Sequence, residues 1–575
     1  MMTQNLSADS LKGPSNADLF APKILTVLRE GYHLADLRAD LISGLTVAIV
    51  ALPLSMAIAI ASGVTPERGL FTAAVGGFLI ALLGGSRFQI GGPAAAFTVL
   101  VAGTVARHGV EGLFLATLMA GAFLFLMGAL RLGSYIKFIP YPVTVGFISG
   151  IAVILFIGQI SDLLGLKLTS NPADILPKLQ VLAASLGTTN WAAVAISLGT
   201  IAVIVLFRQF LPRLPGILIA VVLGGVAVFA LHLPVETIGT RFGGIPNALP
   251  APSLPPMSIQ NIVDVLPDAL SFALLGAIES LLSAMVADGM TGRRHRSNME
   301  LVAQGIANIG SALFGGICVT GTVARTATNI RAGARSPFSC MFHSIFILLF
   351  MLVAAPLASF IPLAALAGVL AVVAWNMVEK AAFATLVRTS WGDAVTLLAT
   401  FLLTVFIGLT QAIIVGFALG TLLFIHRMAQ SSNVELHVPP VPEDLPDSVE
   451  PRPPYDATLA ADPDVAVYRI TGAFFFGAAA MVGNVLDRIA DRHKAFIIDF
   501  SAVPFIDSTA ANTIEGIARK ARRSGVQLLI SGASTATAGT LDAHGVHAPE
   551  VRFETSIDTA VAAAHAAIAA AGRSA

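Results

Sequence analysis

Between residues 41 and 426 the apolar positions come in long unbroken runs separated by short polar interruptions. They do not fall on one helical stripe, nor do they alternate. A helix that is apolar all round is buried in protein or lipid, and about 20 such residues cross a bilayer. The runs predict fourteen helical segments, near 41–62, 70–86, 93–106, 112–130, 138–160, 191–207, 215–232, 264–286, 300–316, 322–332, 337–355, 358–375, 394–409 and 412–426. Those beginning at Pro93 and Thr322 are too short to cross alone.

Past residue 430 the pattern changes. Residues 431–464 mix eight prolines with acidic residues, the composition of an extended linker. From 465 to 575, short β-branched runs alternate with amphipathic stretches. Strands are expected at 465–470, 495–499 and 526–530, and helices at 478–491, 508–524, 535–544 and 556–571, giving a small α/β domain with a partly parallel sheet. Residues 1–40 are mixed polar and charged. They lack the basic start and cleavage site of a signal peptide and read as an N-terminal cytoplasmic segment.

Composition agrees with the pattern. The chain is 55% hydrophobic and 12% charged, about half the charge of a soluble domain, which excludes an ordinary soluble enzyme. The net charge of zero averages a basic body, with 19 basic and 12 acidic residues over 41–430, and an acidic tail, with 11 and 17 over 431–575. If the N-terminus is inside, thirteen of the body's Lys and Arg fall in cytoplasmic loops and five in outer loops, as the positive-inside rule requires of a chain with both termini in the cytoplasm. Arg325 alone is left within the membrane. Two cysteines, Cys318 and Cys340, in apolar surroundings support neither a disulfide framework nor a metal site. HExxH, GxSxG and GxxxxGK[ST] are missing from the sequence, so neither hydrolysis nor ATP driving is suggested. No cofactor, metal or nucleic acid is expected.

An internal repeat divides the body. Ala81-Leu82-Leu83-Gly84-Gly85 leads to Gly91-Gly92-Pro93-Ala94, and 231 positions later Ala312-Leu313-Phe314-Gly315-Gly316 leads to Thr320-Gly321-Thr322-Val323. Seven segments per half, over about 41–232 and 262–430, turn the second copy upside down. Paired Gly/Pro-interrupted short segments in an inverted repeat point to a transporter's midplane site; the alternative is that the Gly-Gly pairs only permit close helix packing.

Facing half-helices would present N-terminal N–H groups and positive dipole ends to one point, where an anion is attracted. Gly92 and Gly321 allow close backbone approach, Pro93 suits a first helical turn, and Thr320 and Thr322 offer hydroxyls. Arg325 adds a full charge, and at membrane depth such a residue is a functional candidate. Glu279, with Ser283 one turn further along the helix at 264–286, is a candidate proton-coupling carboxyl. A structural ion pair between Glu279 and Arg325 is the alternative. Glu279 is the one intramembrane carboxylate expected, a pattern suited to a small anion.

The stretches Gly44 to Pro53, Gly91 to Phe97, Leu275 to Leu282 and Gly305 to Arg325 resemble the SulP anion transporters, and the tail resembles their C-terminal STAS domain. Gly84 to Phe88, Asp288 to Gly292 and Asn329 to Ala334 are similar to the bacterial aerobic four-carbon dicarboxylate transporters within that family. The resemblance implies a 7+7 inverted-repeat core and gate, a homodimer, elevator-type alternating access in the inner membrane, and an anion held at Pro53, Ala94, Thr322, Val323, Ala324 and Arg325, with Glu279 at the acidic coupling position. Sodium-coupled bicarbonate members carry Asp at Glu279 and a hydroxyl at Val323, which argues against sodium coupling. In the STAS domain Asp507-Ser508-Thr509 resembles a phosphorylatable regulatory turn that could engage a cytoplasmic protein partner, although Ala510 replaces the usual glycine; a plain helix cap is the alternative.

The sequence therefore predicts a secondary transporter of sulfate or a four-carbon dicarboxylate, coupled to protons or exchanging anions. A bicarbonate transporter, or an anion channel or sensor with the STAS domain as its output, is the competing expectation.

Overall fold

A computed structural model describes residues 20–134, 140–170, 172, 174–211, 214–430, 433–436, 464–475 and 494–571. The chain divides into two compact units, 1–418 and 419–575.

In the first unit α1 (Lys23–Glu30) precedes the first span, α2 (Leu34–Ala61), whose start is capped where Asp36 accepts the His33 N–H at 3.1 Å. α3 (Pro66–Phe71), a π turn (Thr72–Gly76) and α4 (Gly77–Leu83) form the second span. A two-residue strand, β1 (Gly91–Gly92), and a 3-10 turn (Ala95–Phe97) lead into α5 (Thr98–Ala129). At Gly109, φ 69° and ψ −175° break α5 into two arms, the expected third and fourth segments. Only glycine takes that conformation without a Cβ clash. α6 (Tyr141–Leu164), α7 (Ile175–Ser185), α8 (Trp191–Phe210), α9 (Gly216–Ala230) and α10 (Ile238–Phe242) complete the first half.

The second half begins with α11 (Ile259–Thr291), capped by Ser258 and closed by a left-handed Gly292. Then come α12 (Ser297–Leu313), β2 (Thr320–Gly321), α13 (Val323–Arg331), α14 (Pro337–Ala358), α15 (Leu363–Met377), α16 (Lys380–Thr389), α17 (Trp391–Phe406) and α18 (Leu409–Gln430). The fourteen expected segments are all present, within a few residues at their ends. α1, α7, α10 and α16 were not legible as elements, being too short or too polar for a span.

The halves interlock. α5 packs on α11 and α12, and α14 on α2 and α4, making one bundle; α6 packs on α15 and α17, and α8 on α9 and α15, making the other. β1 and β2, from corresponding places in the two halves, pair antiparallel with Gly91 opposite Gly321 and Gly92 opposite Thr320. An upside-down repeat brings its equivalent segments together in that sense. Small residues line the interior, and Leu223, Val226, Phe229 and Leu352 face outward, since lipid and not water covers this body. Several loop arginines that orient the chain in the positive-inside count also pair: Arg87 with Glu30, Arg335 with Asp36 at 2.8 Å and Arg241 with Asp162 at 3.2 Å. Lys137 and Arg213 lie outside the described residues.

The second unit holds a five-stranded sheet in the order β3 (Asn433–Leu436), β4 (Val465–Thr471), β5 (Ala495–Ala502), β6 (Gln527–Ser531), β7 (Val551–Glu554), antiparallel between β3 and β4 and parallel thereafter. α19 (Ser508–Arg523) buries Ala511, Ile514, Ile517 and Ala518 against one face with Phe496, Ile498 and Ile530. α20 (Thr535–Ala543) follows β6, and α21 (Ile557–Ala571) covers Val465, Ile497 and Leu529 on the other face. Strand β3 corrects the expectation of a continuous linker over 431–464: the valine and leucine at 434 and 436 belong to the sheet edge. The helix expected at 478–491 lies outside the described residues, as do residues 437–463 of the linker.

Candidate anion site

The site is built from the two chain breaks. β1 and β2 cross where α4 and α12 have ended, and each is followed by a helical start. Ala94 caps the turn leading into α5, Thr322 caps α13, and neither provides a side-chain capping bond. Their first-turn N–H groups thus keep the open, positive ends that attract an anion. The Thr322 N–H donates to the Ile90 carbonyl at 3.0 Å, and the Ile90 N–H to Thr326 Oγ1 at 3.0 Å, so the two breaks are stitched to each other.

α11 supplies the wall. Gly276, Ser280 and Ser283 recur at helical spacing on one face. The Gly276 carbonyl accepts from Thr320 Oγ1 at 3.2 Å, Ser280 Oγ accepts from Gln89 Nε2 at 2.8 Å, and Ser283 Oγ donates to Thr326 Oγ1 at 3.2 Å. The hydroxyls of Thr320 and Thr322 both donate to backbone, the latter to the Ile90 carbonyl at 3.4 Å. Either can therefore meet a ligand only as an acceptor. Among the expected residues, Pro53, Gly92, Pro93, Ala94, Thr320, Gly321 and Ser283 are buried, while Val323 and Ala324 are exposed at the tip of α13.

Arg325 is 2% exposed. Its Nη2 donates to the Pro93 carbonyl at 3.2 Å, whereas Nε and Nη1 have no partner. A Cβ on Gly92 would lie 2.2 Å from Nη1, so the guanidinium rests against bare backbone. A Cβ on Gly321 would strike the Gln89 side chain at 1.6 Å. Both glycines are required by the close approach of a side chain to their backbone.

The structural ion pair left open by the sequence is not formed: among the described residues no carboxylate lies within 4 Å of Arg325. Glu279 instead lines a small, partly open apolar cavity with Thr144, Phe147 and Ile148 of α6, Leu275 and Leu282 of α11, and Ile413 of α18. It stands where α6 and α18 meet α11.

A second carboxylate is buried at the chain break. Glu300 on α12 is 0% exposed, and its Oε2 accepts the N–H groups of Gly85 at 2.8 Å and Ser86 at 3.0 Å. It holds the chain break after Gly84, whose freed N–H groups need an acceptor once the helix stops. Gly85 also packs against the Arg296 carbonyl, the close approach that the packing alternative expects. Gln89, Ser280, Thr326 and His343 were missed as well. A polar residue just before a Gly-Gly break was the available signal for Gln89; nothing in the sequence marked His343.

In the second unit Asp507 Oδ1 accepts the Ala510 N–H at 2.9 Å and caps α19, and Ser508 and Thr509 are exposed. The capped-turn alternative is the geometry present. Asp499, on β5, accepts from Ser501, Arg469 and Ser531. Burial alone would raise its carboxyl, but these bonds outweigh it and hold the group below the ordinary carboxylate range.

Comparison with known proteins places this geometry. Residues 37–400 match the sulfate permease family and residues 456–560 the STAS domain. YvdB of Bacillus subtilis (strain 168), assigned to sulfate transport, is 40% identical over 508 residues, covering 88% of this chain and 93% of its own. The bicarbonate transporter BicA of Picosynechococcus sp. is 32% identical, covering 89% and 91%. The transmembrane domain of a cyanobacterial BicA superposes with a TM-score of 0.59 at 34% identity, over 68% of this chain and 98% of that one. The murine Slc26a9 anion transporter in its inward-facing state shares the fold, with a TM-score of 0.84 over 96% of each chain at 18% identity. These relatives carry sulfate and bicarbonate in their names; the grouping with dicarboxylate transporters is not among them. The chain is a multi-pass membrane protein of the sulfate permease family of anion transporters, bearing a C-terminal STAS domain.

Proposed function

We propose that this protein is a secondary active transporter that moves sulfate or a four-carbon dicarboxylate such as succinate inward, by proton symport or anion exchange. Arg325 and the open N-terminal ends at Ala94 and Thr322 hold the anion, with Pro53, Gly92, Pro93, Gly321, Val323 and Ala324 shaping the space around it. Glu279, near Ser283, binds the coupling proton at the boundary between the bundles, and the bundle holding Arg325 slides against the other in an elevator cycle. The protein works as a homodimer in the inner membrane with both termini in the cytoplasm. Ser508 and Thr509 are a regulatory phosphorylation site through which the STAS domain meets a protein partner.

One observation carries the proposal: a buried arginine with two unpartnered nitrogens, beside two uncapped helical starts. A buried cation without a counter-charge is costly, and an anionic ligand relieves that cost. Uptake of labelled succinate and sulfate by proteoliposomes, with and without an inward proton gradient, tests it, and competition between sulfate, succinate and bicarbonate for one site ranks the substrates. Bicarbonate is the second reading, favoured by the 32% identity with BicA and opposed by Val323 and Glu279. Unitary currents would support a channel instead, and saturable binding without flux a sensor.

A further inference from the structure

His343 lies on α14, is 0% exposed, and has no hydrogen-bond partner at either ring nitrogen. An unpaired buried imidazole is uncommon, because buried polar groups are nearly always satisfied by protein or ordered water. Its place in the fold explains what it serves. α13 and α14 are consecutive helices joined by the short turn 332–336, and they are held together where Asn329 Nδ2 donates to Ser339 Oγ at 2.9 Å. From that bond, one turn back along α13 reaches Arg325 and one turn forward along α14 reaches His343. Ser344, next to His343, donates to the Ala73 carbonyl at 2.9 Å, and a Cβ on Gly92 would lie 3.8 Å from the Ala73 Cβ and 2.2 Å from Arg325 Nη1, so both helices reach the same stretch of backbone.

The unmet needs are complementary. Arg325 Nε and Nη1 are buried donors without acceptors. A neutral imidazole carries one acceptor nitrogen, and arginine has none to offer in return. α2 and the segment from α3 to α4 also pack on α14. Gly44 of α2 lies directly against the His343 backbone, and residues 72–83 carry no charge. Gln89 Oε1, Ser55 Oγ of α2 and Thr98 Oγ1 of α5 are also buried without a partner; the Gln89 amide is anchored to Ser280 on α11.

We infer that His343 is a positioning residue for Arg325: its neutral imidazole accepts from a guanidinium N–H through one water and fixes the face that Arg325 turns to the anion. The inference rests on Arg325 being the anion-holding residue. It adds the element behind that residue which decides where the charge points. An arginine without a support at its back would swing within a pocket lined by glycines 91 and 92, and its alignment with the two helical starts would be lost. Precise orientation of a binding group depends on such supporting contacts.

The test uses the purified full-length protein, with sulfate and succinate as probes, and reads anion affinity and the KM and turnover of uptake. His343→Phe keeps a ring and removes the acceptor, while His343→Gln and His343→Asn keep an acceptor and remove the ring. The expected result is a tenfold or greater weakening of anion affinity in His343→Phe, a rise in KM that outstrips any fall in turnover, and restoration to within about threefold by one of the two amides. In an Arg325→Ala background His343→Phe should then produce no further weakening. If Arg325→Ala itself leaves affinity unchanged, the anion-site reading fails and this inference falls with it. If Arg325→Ala weakens binding but His343→Phe does not, or weakens it equally with and without Arg325, only the inference is overturned. Coupling of Arg325 to Gln89→Leu in place of His343→Phe overturns it too. Should His343→Phe fail to fold, His343→Leu takes its place in the same comparison.

Discussion

Gly92→Ala tests the site at its tightest point. The added Cβ would sit 2.2 Å from Arg325 Nη1, whereas nonbonded heavy atoms settle at about 3.5 Å. Something must move by more than an ångström. The obstacle is the far end of a long side chain and not backbone, so the guanidinium gives way and the fold survives. That retreat breaks the Nη2 bond to the Pro93 carbonyl, at 3.2 Å, and carries the charge away from the helical starts. A hydrogen bond involving a charged group contributes about 1.5–3 kcal/mol, and about 1.4 kcal/mol is a factor of ten. The substitution should therefore weaken sulfate or succinate binding by about ten- to a hundredfold while the thermal midpoint without anion moves little. Affinity would be read from ligand-dependent thermal shifts and from the KM of uptake in proteoliposomes. Binding within threefold of the parent would refute the close approach of Arg325 to bare backbone, and so would an equal loss in an Arg325→Ala background.

Further outcomes are expected elsewhere. Glu279→Gln should abolish the stimulation of uptake by an inward proton gradient while anion binding persists; gradient-driven uptake at the parental rate removes the coupling role. Glu300→Gln keeps the shape but weakens the acceptor for the Gly85 and Ser86 N–H groups, and should lower stability by about 1–3 kcal/mol, seen as faster amide exchange at 84–86. Asp499 has a folded carboxyl held below its ordinary range, so its contribution is present in full above about pH 4 and is lost as pH falls further through the folded value. Hydrogen exchange of β5 and β6 should consequently loosen only in that acid window, and Asp499→Asn should flatten the dependence. Asp507→Ala should destabilise the start of α19 by about 1 kcal/mol through loss of the cap, read as local exchange at Ser508 to Ala511.

Most of the architecture was legible because lipid imposes a simple rule. Where no water can satisfy the backbone, a run of apolar residues must be a helix, and all fourteen segments follow from that. Gly92, Gly321, Pro93 and Arg325 were legible for a related reason, since glycines, a proline and a charge in such runs interrupt what the solvent demands. Residues whose meaning depends on a distant partner stayed hidden. Glu300 stands at the start of a helix, where a carboxylate is ordinary, and matters only because Gly85 and Ser86 fold back to it across more than two hundred residues. Strand β3 has four residues, too few for a pattern, and exists because β4 lies beside it.

By itself the sequence determined that this chain spans a membrane many times, that its halves are inverted copies with paired interruptions, that one arginine is left over in the apolar interior, and that an α/β domain follows. Those are properties of composition and period, which solvent reads locally. The tertiary structure alone decided that Glu279 and Arg325 form no ion pair, with the carboxyl lining a cavity between bundles and the guanidinium pressed on Gly92. Such relations arise where two inverted repeats interlock, and packing between segments far apart in the chain cannot be read from either segment alone.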